Sequence, residues 1–131
     1  MVKLTKEQCL FALMTARFGL GAAAWLAPRP SGRAMLLDAD ANPAVPYVMR
    51  LFGVRDGLMG LMLVTTTGRD RDRQLWFGIA IDLIDVSAAV IAGVRRQLSG
   101  PGAILCVAAS MVGASLGAGA LGKGPLVRQI T

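Results

Sequence analysis

The chain contains no histidine, only two cysteines and few aromatics, with four Phe, two Trp and one Tyr in 131 residues. Without histidine, a Ser/His or Cys/His catalytic arrangement is impossible, and Ser87, Ser110 and Ser115 have no evident base. The same absence, with no Cys/His spacing, leaves zinc, haem and iron–sulfur groups without ligands, so no cofactor and no metal are expected. Cys9 lies at the cytoplasmic start of the first apolar segment and Cys106 near the outer end of the fourth, too far apart for the roughly 7 Å Cα separation a disulfide tolerates. Both are read as small apolar fillers. Charge is also scarce, at 17% of residues. A soluble domain carries more and alternates it with apolar positions.

What fills the sequence instead is apolar residues, 54% of the whole, in blocks of about twenty, the length that crosses roughly 30 Å of hydrocarbon. Four such blocks stand out, Cys9–Ala27, Pro46–Thr67, Gln74–Val94 and Pro101–Leu121. The connections are short and leave no room for a second domain. The expectation is an all-α fold, a single integral-membrane four-helix bundle occupying residues 1–131. Arg17 interrupts the first block, so this segment reads as a retained span, not a cleaved signal peptide.

Fourteen Lys and Arg against eight Asp and Glu give a net charge of +6. In a soluble protein this would suggest nucleic acid. Here most basic residues sit at span ends and in loops, where they meet anionic lipid headgroups, and basic patches with interleaved aromatics are missing. Nucleic acid is therefore rejected as a partner, and membrane lipid is expected. Lys3, Lys6, Arg69, Arg71, Arg73, Lys123 and Arg128 fall on one side, and Arg29, Arg33, Arg95 and Arg96 on the other. The positive-inside rule then puts both termini in the cytoplasm, with the chain in the inner (plasma) membrane.

Arg17, Arg50, Arg55, Asp56, Asp82 and Asp85 lie inside the apolar blocks. An unpaired charge at the centre of a membrane helix costs about 2.5–3.5 kcal/mol, so six isolated ones would oppose insertion by roughly 15–20 kcal/mol. They must face one another, a cavity or a partner. In the first span Leu13, Arg17, Gly21 and Ala24 recur at helical spacing, which puts the charge on a face of small residues. Trp25 lies where an interfacial ring is favoured. In the second, Arg50, Gly53, Asp56, Gly57 and Gly60 share an arc roughly 120° wide, with Gly53 and Gly57 forming a small-xxx-small pair. Arg55 projects about 100° from Asp56, so the two are not expected to serve one face, and Arg55 needs a partner on another helix, a headgroup or another subunit. Arg50 is near enough to the outer end to snorkel. In the third, Gly78, Asp82, Asp85 and Ala89 make one continuous face. Two carboxylates a turn apart repel unless cations such as Arg17 and Arg55 hold them or one takes a proton. The fourth has no charge and a second close-packing pair, Gly113 and Gly117. The expected intramembrane ionic network is thus Arg17, Arg55, Asp56, Asp82 and Asp85, and the expected helix-packing residues are Gly53, Gly57, Gly60, Gly113 and Gly117.

Two connections carry further expectations. In the first loop, a brief interfacial helix is expected over Ala34–Leu37, followed by a turn through Asp38–Pro43. Arg69-Asp-Arg-Asp-Arg73 reads as a solvated turn with orienting arginines.

Arg50-Leu-Phe-Gly-Val-Arg-Asp-Gly57, followed by Trp76-Phe-Gly-Ile-Ala-Ile-Asp-Leu-Ile-Asp85, resembles the small four-span membrane proteins of actinobacteria that have no assigned activity. These carry a similar R-x-x-G-x-R-D run and a paired-Asp helix. The chain is also similar to the small four-helix accessory subunit that accompanies the mycobacterial MCE lipid importer. That resemblance implies docking onto the permease helices of a transport complex, influence on assembly, and no chemistry of its own. Three classes of function follow: a non-catalytic accessory subunit partnered with other integral membrane subunits, a small homodimeric proton-coupled carrier or channel using the intramembrane aspartates, and an intramembrane enzyme. The lack of histidine disfavours the last.

Overall fold

The computed structural model describes residues 3–127. Arg128, one of the side-counting basic residues, lies outside that range. Five helices form: α1 (Lys6–Leu26), α2 (Pro28–Ala34), α3 (Val45–Thr65), α4 (Gly68–Val94) and α5 (Gly100–Ala120). Among the described residues there is no strand, only an isolated bridge between Leu4 and Val127.

The helix starts are encoded locally. Thr5 and Gln8 close a capping box, the Thr5 hydroxyl accepting from the Gln8 N–H and the Gln8 amide oxygen accepting from the Thr5 N–H. Ser99 caps α5 by accepting from Gly102 N–H at 3.1 Å. Prolines occupy the first turns of α2, α3 and α5, where a missing N–H costs nothing. Between α3 and α4 the chain reverses over Thr66 and Thr67. There the Arg71 Nε donates to the Leu63 carbonyl at 3.2 Å, satisfying one of the last carbonyls of α3.

Two local expectations are corrected. The loop helix covers Pro28–Ala34, not Ala34–Leu37, because Pro28 presets a helical φ at its first position, whereas Leu36 at φ 57° cannot continue it. The charged run Arg69–Arg73 is helical, forming the opening turns of α4, which begins at Gly68 six residues ahead of the expected Gln74. The turn after α2 is as expected, with the Asp38 carboxylate accepting from Ala41 N–H at 2.9 Å.

α1 packs along α3 and also meets α5, while α4 packs along α5. α3 and α4 meet only sparsely. The buried face of α1 is Cys9, Leu13, Arg17, Gly21 and Ala24, a regular helical stripe. Two apolar clusters close the ends of the bundle. One joins Cys9, Leu13, Leu63, Leu75, Leu116 and Val127, and the other joins Ala24, Ala39, Val45 and Met49. Arg17 lies between them.

The exterior is apolar. Phe11, Leu20, Phe77, Ile84, Val94 and Ile104 all stand largely exposed. An exterior of this kind is what a lipid-facing bundle presents. α1, α4 and α5 are long and apolar enough to cross a membrane. α3 matches α1 in length, at 21 residues, but carries three charges within it, Arg50, Arg55 and Asp56.

Candidate functional site: a buried ionic chain

Each charged side chain of the site is placed by a helix whose neighbours are small. Gly21 and Gly53 let α1 and α3 approach backbone to backbone: a Cβ at Gly53 would lie 2.7 Å from the Gly21 carbonyl oxygen, and one at Gly21 would lie 2.9 Å from that of Gly53. This closeness brings Arg17 of α1 level with Asp56 of α3. On the other side, Gly113 of α5 makes room for Asp82 of α4, since a Cβ there would lie 2.6 Å from the Asp82 Oδ2. Gly117 leaves space one turn further along for Ile79, whose Cγ1 would be 2.9 Å from an added Cβ.

Five residues then join in a chain of alternating sign. The Arg17 Nη2 donates to the Asp82 Oδ2 at 2.6 Å, and Arg17 Nη1 to Asp56 Oδ1 at 3.4 Å. Arg55 forks onto Asp85, Nη1 to Oδ1 at 3.1 Å and Nη2 to Oδ2 at 2.8 Å. The Arg55 Nη2 also lies 3.6 Å from Asp56 Oδ1, which closes the sequence Asp82–Arg17–Asp56–Arg55–Asp85. The Phe52 ring lies under the Arg55 guanidinium at 4.6 Å. Asp82 and Arg17 are nearly sealed, with 3% and 8% of their side-chain surfaces exposed, whereas Arg55 and Asp85 reach 31% and 22%. The chain of charges therefore runs from the centre of the bundle to the sparse seam between α3 and α4.

All five residues expected in the network lie in it, and two expectations about neighbouring positions change. Arg55 takes a partner on another helix, but it also reaches Asp56, because a long guanidinium arm swings back across the 100° that separates the two Cα–Cβ directions. Gly57 is not sterically required, since a Cβ there meets nothing within 4 Å, whereas Gly60 is tight against the Phe18 ring and Arg17 Cβ at 3.3 Å. Arg50 stays outside the network, its Nε donating to the Trp25 carbonyl at 3.4 Å. Cys9 and Cys106 are both free, Cys9 packing against Gly119.

Sequence reasoning missed two features. Gly113 and Gly117 were legible as a packing pair, but the cradle that Gly113 gives Asp82 depends on which helix faces α4. The other is a cavity of about 290 Å³ bordered by Arg17, Met59, Met62, Phe77, Gly78 and Ile81, which opens because α3 and α4 diverge. No residue spacing announces it. Among the described residues no group of His, Cys, Asp and Glu is arranged to hold a metal ion. The site offers charge compensation and hydrogen bonding, its guanidiniums and carboxylates being engaged with one another.

No family model, curated protein or solved structure matches this chain.

Proposed function

We propose that this chain is a four-span inner-membrane protein with cytoplasmic termini, acting as a non-catalytic accessory or assembly subunit of a larger transport complex. α3 is the fourth span on this reading, its charges absorbed by the network. The observation that carries the accessory role is the position of the Arg55–Asp85 pair, partly exposed midway along an otherwise apolar surface. Facing lipid, such a pair is held at a cost. Covered by a helix of another subunit, it is shielded and gives the interface a fixed register. The exposed large side chains of α3 and α4 on either side, among them Leu58, Phe77 and Ile84, supply apolar contact area for the same interface. A lipid cargo of the MCE type rests on the resemblance of the two sequence runs alone.

Gentle solubilisation of natively expressed, C-terminally tagged protein tests the proposal. Stoichiometric recovery of permease and ATPase subunits is expected. Recovery of this chain alone as a discrete dimer contradicts it and favours the second reading, a homodimeric proton-coupled carrier or channel. That reading has one observation in its favour, the surplus of acids over bases in the network. It requires pH-dependent flux in proteoliposomes, and absence of flux removes it.

A further inference from the structure

The network does not balance. Arg17 and Arg55 bring two positive charges, and Asp56, Asp82 and Asp85 bring three negative ones. The distances divide these groups unequally. Asp82 is bound to Arg17 at 2.6 Å, and Asp85 receives both prongs of Arg55 at 2.8 and 3.1 Å. These are two closed, neutral pairs of the short, charge-assisted kind. Asp56 is the remainder: both arginines reach only its Oδ1, at 3.4 and 3.6 Å.

Among the described residues no other packed element supplies the missing positive charge. On α2, Arg29 and Arg33 are turned to Asp40, at 4.0 and 3.0 Å. α5 has no charged residue and faces Asp82 with Gly113. On α1, Arg17 is the one cation near the site, Lys6 being at the helix start. On α3, Arg50 is turned to the Trp25 carbonyl. On α4, the remaining arginines, Arg69, Arg71 and Arg73, occupy the first two turns, far from Asp82 and Asp85. A surplus carboxylate enclosed by apolar helices carries a desolvation cost of several kcal/mol, which a bound proton abolishes. Carboxylates crowded together likewise avoid ionising at once.

We propose that Asp56 is the binding site for one exchangeable proton and is a neutral carboxylic acid at neutral pH, set between two neutral Arg–Asp pairs. The proton comes from bulk water and returns to it, and the only bond made or broken is the O–H bond on the Asp56 carboxyl. Release of the proton leaves a carboxylate that draws Arg17 and Arg55 inward from their partners, so occupancy is coupled to the contact of α1 and α4 with α3. The inference rests on the membrane setting proposed above but not on the accessory role.

Infrared spectroscopy of the full chain in phosphatidylcholine vesicles at neutral pH reads the site directly. The other five acids, Glu7, Asp38, Asp40, Asp70 and Asp72, are exposed, and Asp82 and Asp85 are paired, so a protonated-carboxyl C=O band from a single group is expected, with its shift in heavy water. Asp56→Asn, a neutral mimic, is expected to remove the band and to leave the protein folded with a melting temperature no lower than that of the parent chain. Absence of the band in the parent, its persistence in Asp56→Asn, or failure of that variant to fold overturns the proposal. Stabilisation by sodium in place of the band assigns the site to a metal cation and overturns it as well. Carbonate extraction of cell membranes separately tests the membrane setting, so the two failures are distinguishable.

Discussion

Arg17 and Asp82 lie 65 positions apart in the chain, yet their side chains meet at 2.6 Å and are almost wholly enclosed. The contact ties α1 to α4, two helices that otherwise pack on α3 and α5 and not on each other. Wrong pairings of these helices would leave a guanidinium and a carboxylate in apolar surroundings, so the contact selects one arrangement as well as stabilising it.

Gly113 is the counterpart that makes this contact possible. Gly113→Val places atoms where the Asp82 carboxylate sits, and Asp82 cannot yield without leaving Arg17. A loss of about 1–3 kcal/mol is expected, the usual cost of overpacking, read as a lower melting temperature in detergent. An unchanged melting temperature would mean that α5 does not press on Asp82.

The glycines of α3 are not equivalent. Gly53→Ala drives a methyl into the α1 backbone at Gly21 and Trp25, where nothing flexible can give way, whereas Gly57→Ala meets open space. Gly53→Ala is expected to lower the amount of folded protein in the membrane several-fold. Gly57→Ala is expected to be neutral or slightly stabilising, because alanine is favoured over glycine within a helix by about 1 kcal/mol. Equal effects of the two variants would contradict the packing of α1 on α3.

Arg55→Lys keeps the charge and loses the fork. The bidentate bond to Asp85 and the stacking over Phe52 both depend on a planar guanidinium. A loss of about 1.5–3 kcal/mol is expected, the scale of one hydrogen bond to a charged group. Indistinguishable denaturation curves for Arg55→Lys and the parent would show that the pair acts only as point charges.

The two cysteines report on burial without any mutation. Cys9 is wholly enclosed against Gly119, while Cys106 is partly exposed on α5. A membrane-permeant maleimide is expected to label Cys106 faster than Cys9 in detergent, and to label Cys9 fully only after denaturation. Early labelling of Cys9 would place the start of α1 away from α5.

The face of α1 was legible because a 3.6-residue period puts Leu13, Arg17, Gly21 and Ala24 in line, and that stripe is buried. Asp82 and Asp85 were legible as a pair for the same reason. Which cation each would meet was not, because it depends on the order of helices around the bundle. Arg55 shows a second limit: its Cα direction suggested separation from Asp56, but several rotatable bonds let the charged end return. In the first loop the helix follows proline at its start, a stronger signal than the apolar run at Ala34–Leu37. Gly53 and Gly57 look alike in sequence, and only the path of α1 across α3 distinguishes them.

A double-mutant cycle on Arg17 and Asp82 is the most direct measurement of whether a buried ionic chain specifies this bundle. Arg17→Ala and Asp82→Ala each strand a charge and are expected to cost about 3–5 kcal/mol in folding stability or to reduce abundance sharply. The double variant strands neither member of the pair, so it is expected to recover part of the loss, with a coupling of about 1–3 kcal/mol. Strictly additive losses, or single variants that accumulate and fold as the parent does, would contradict the structural role of the network.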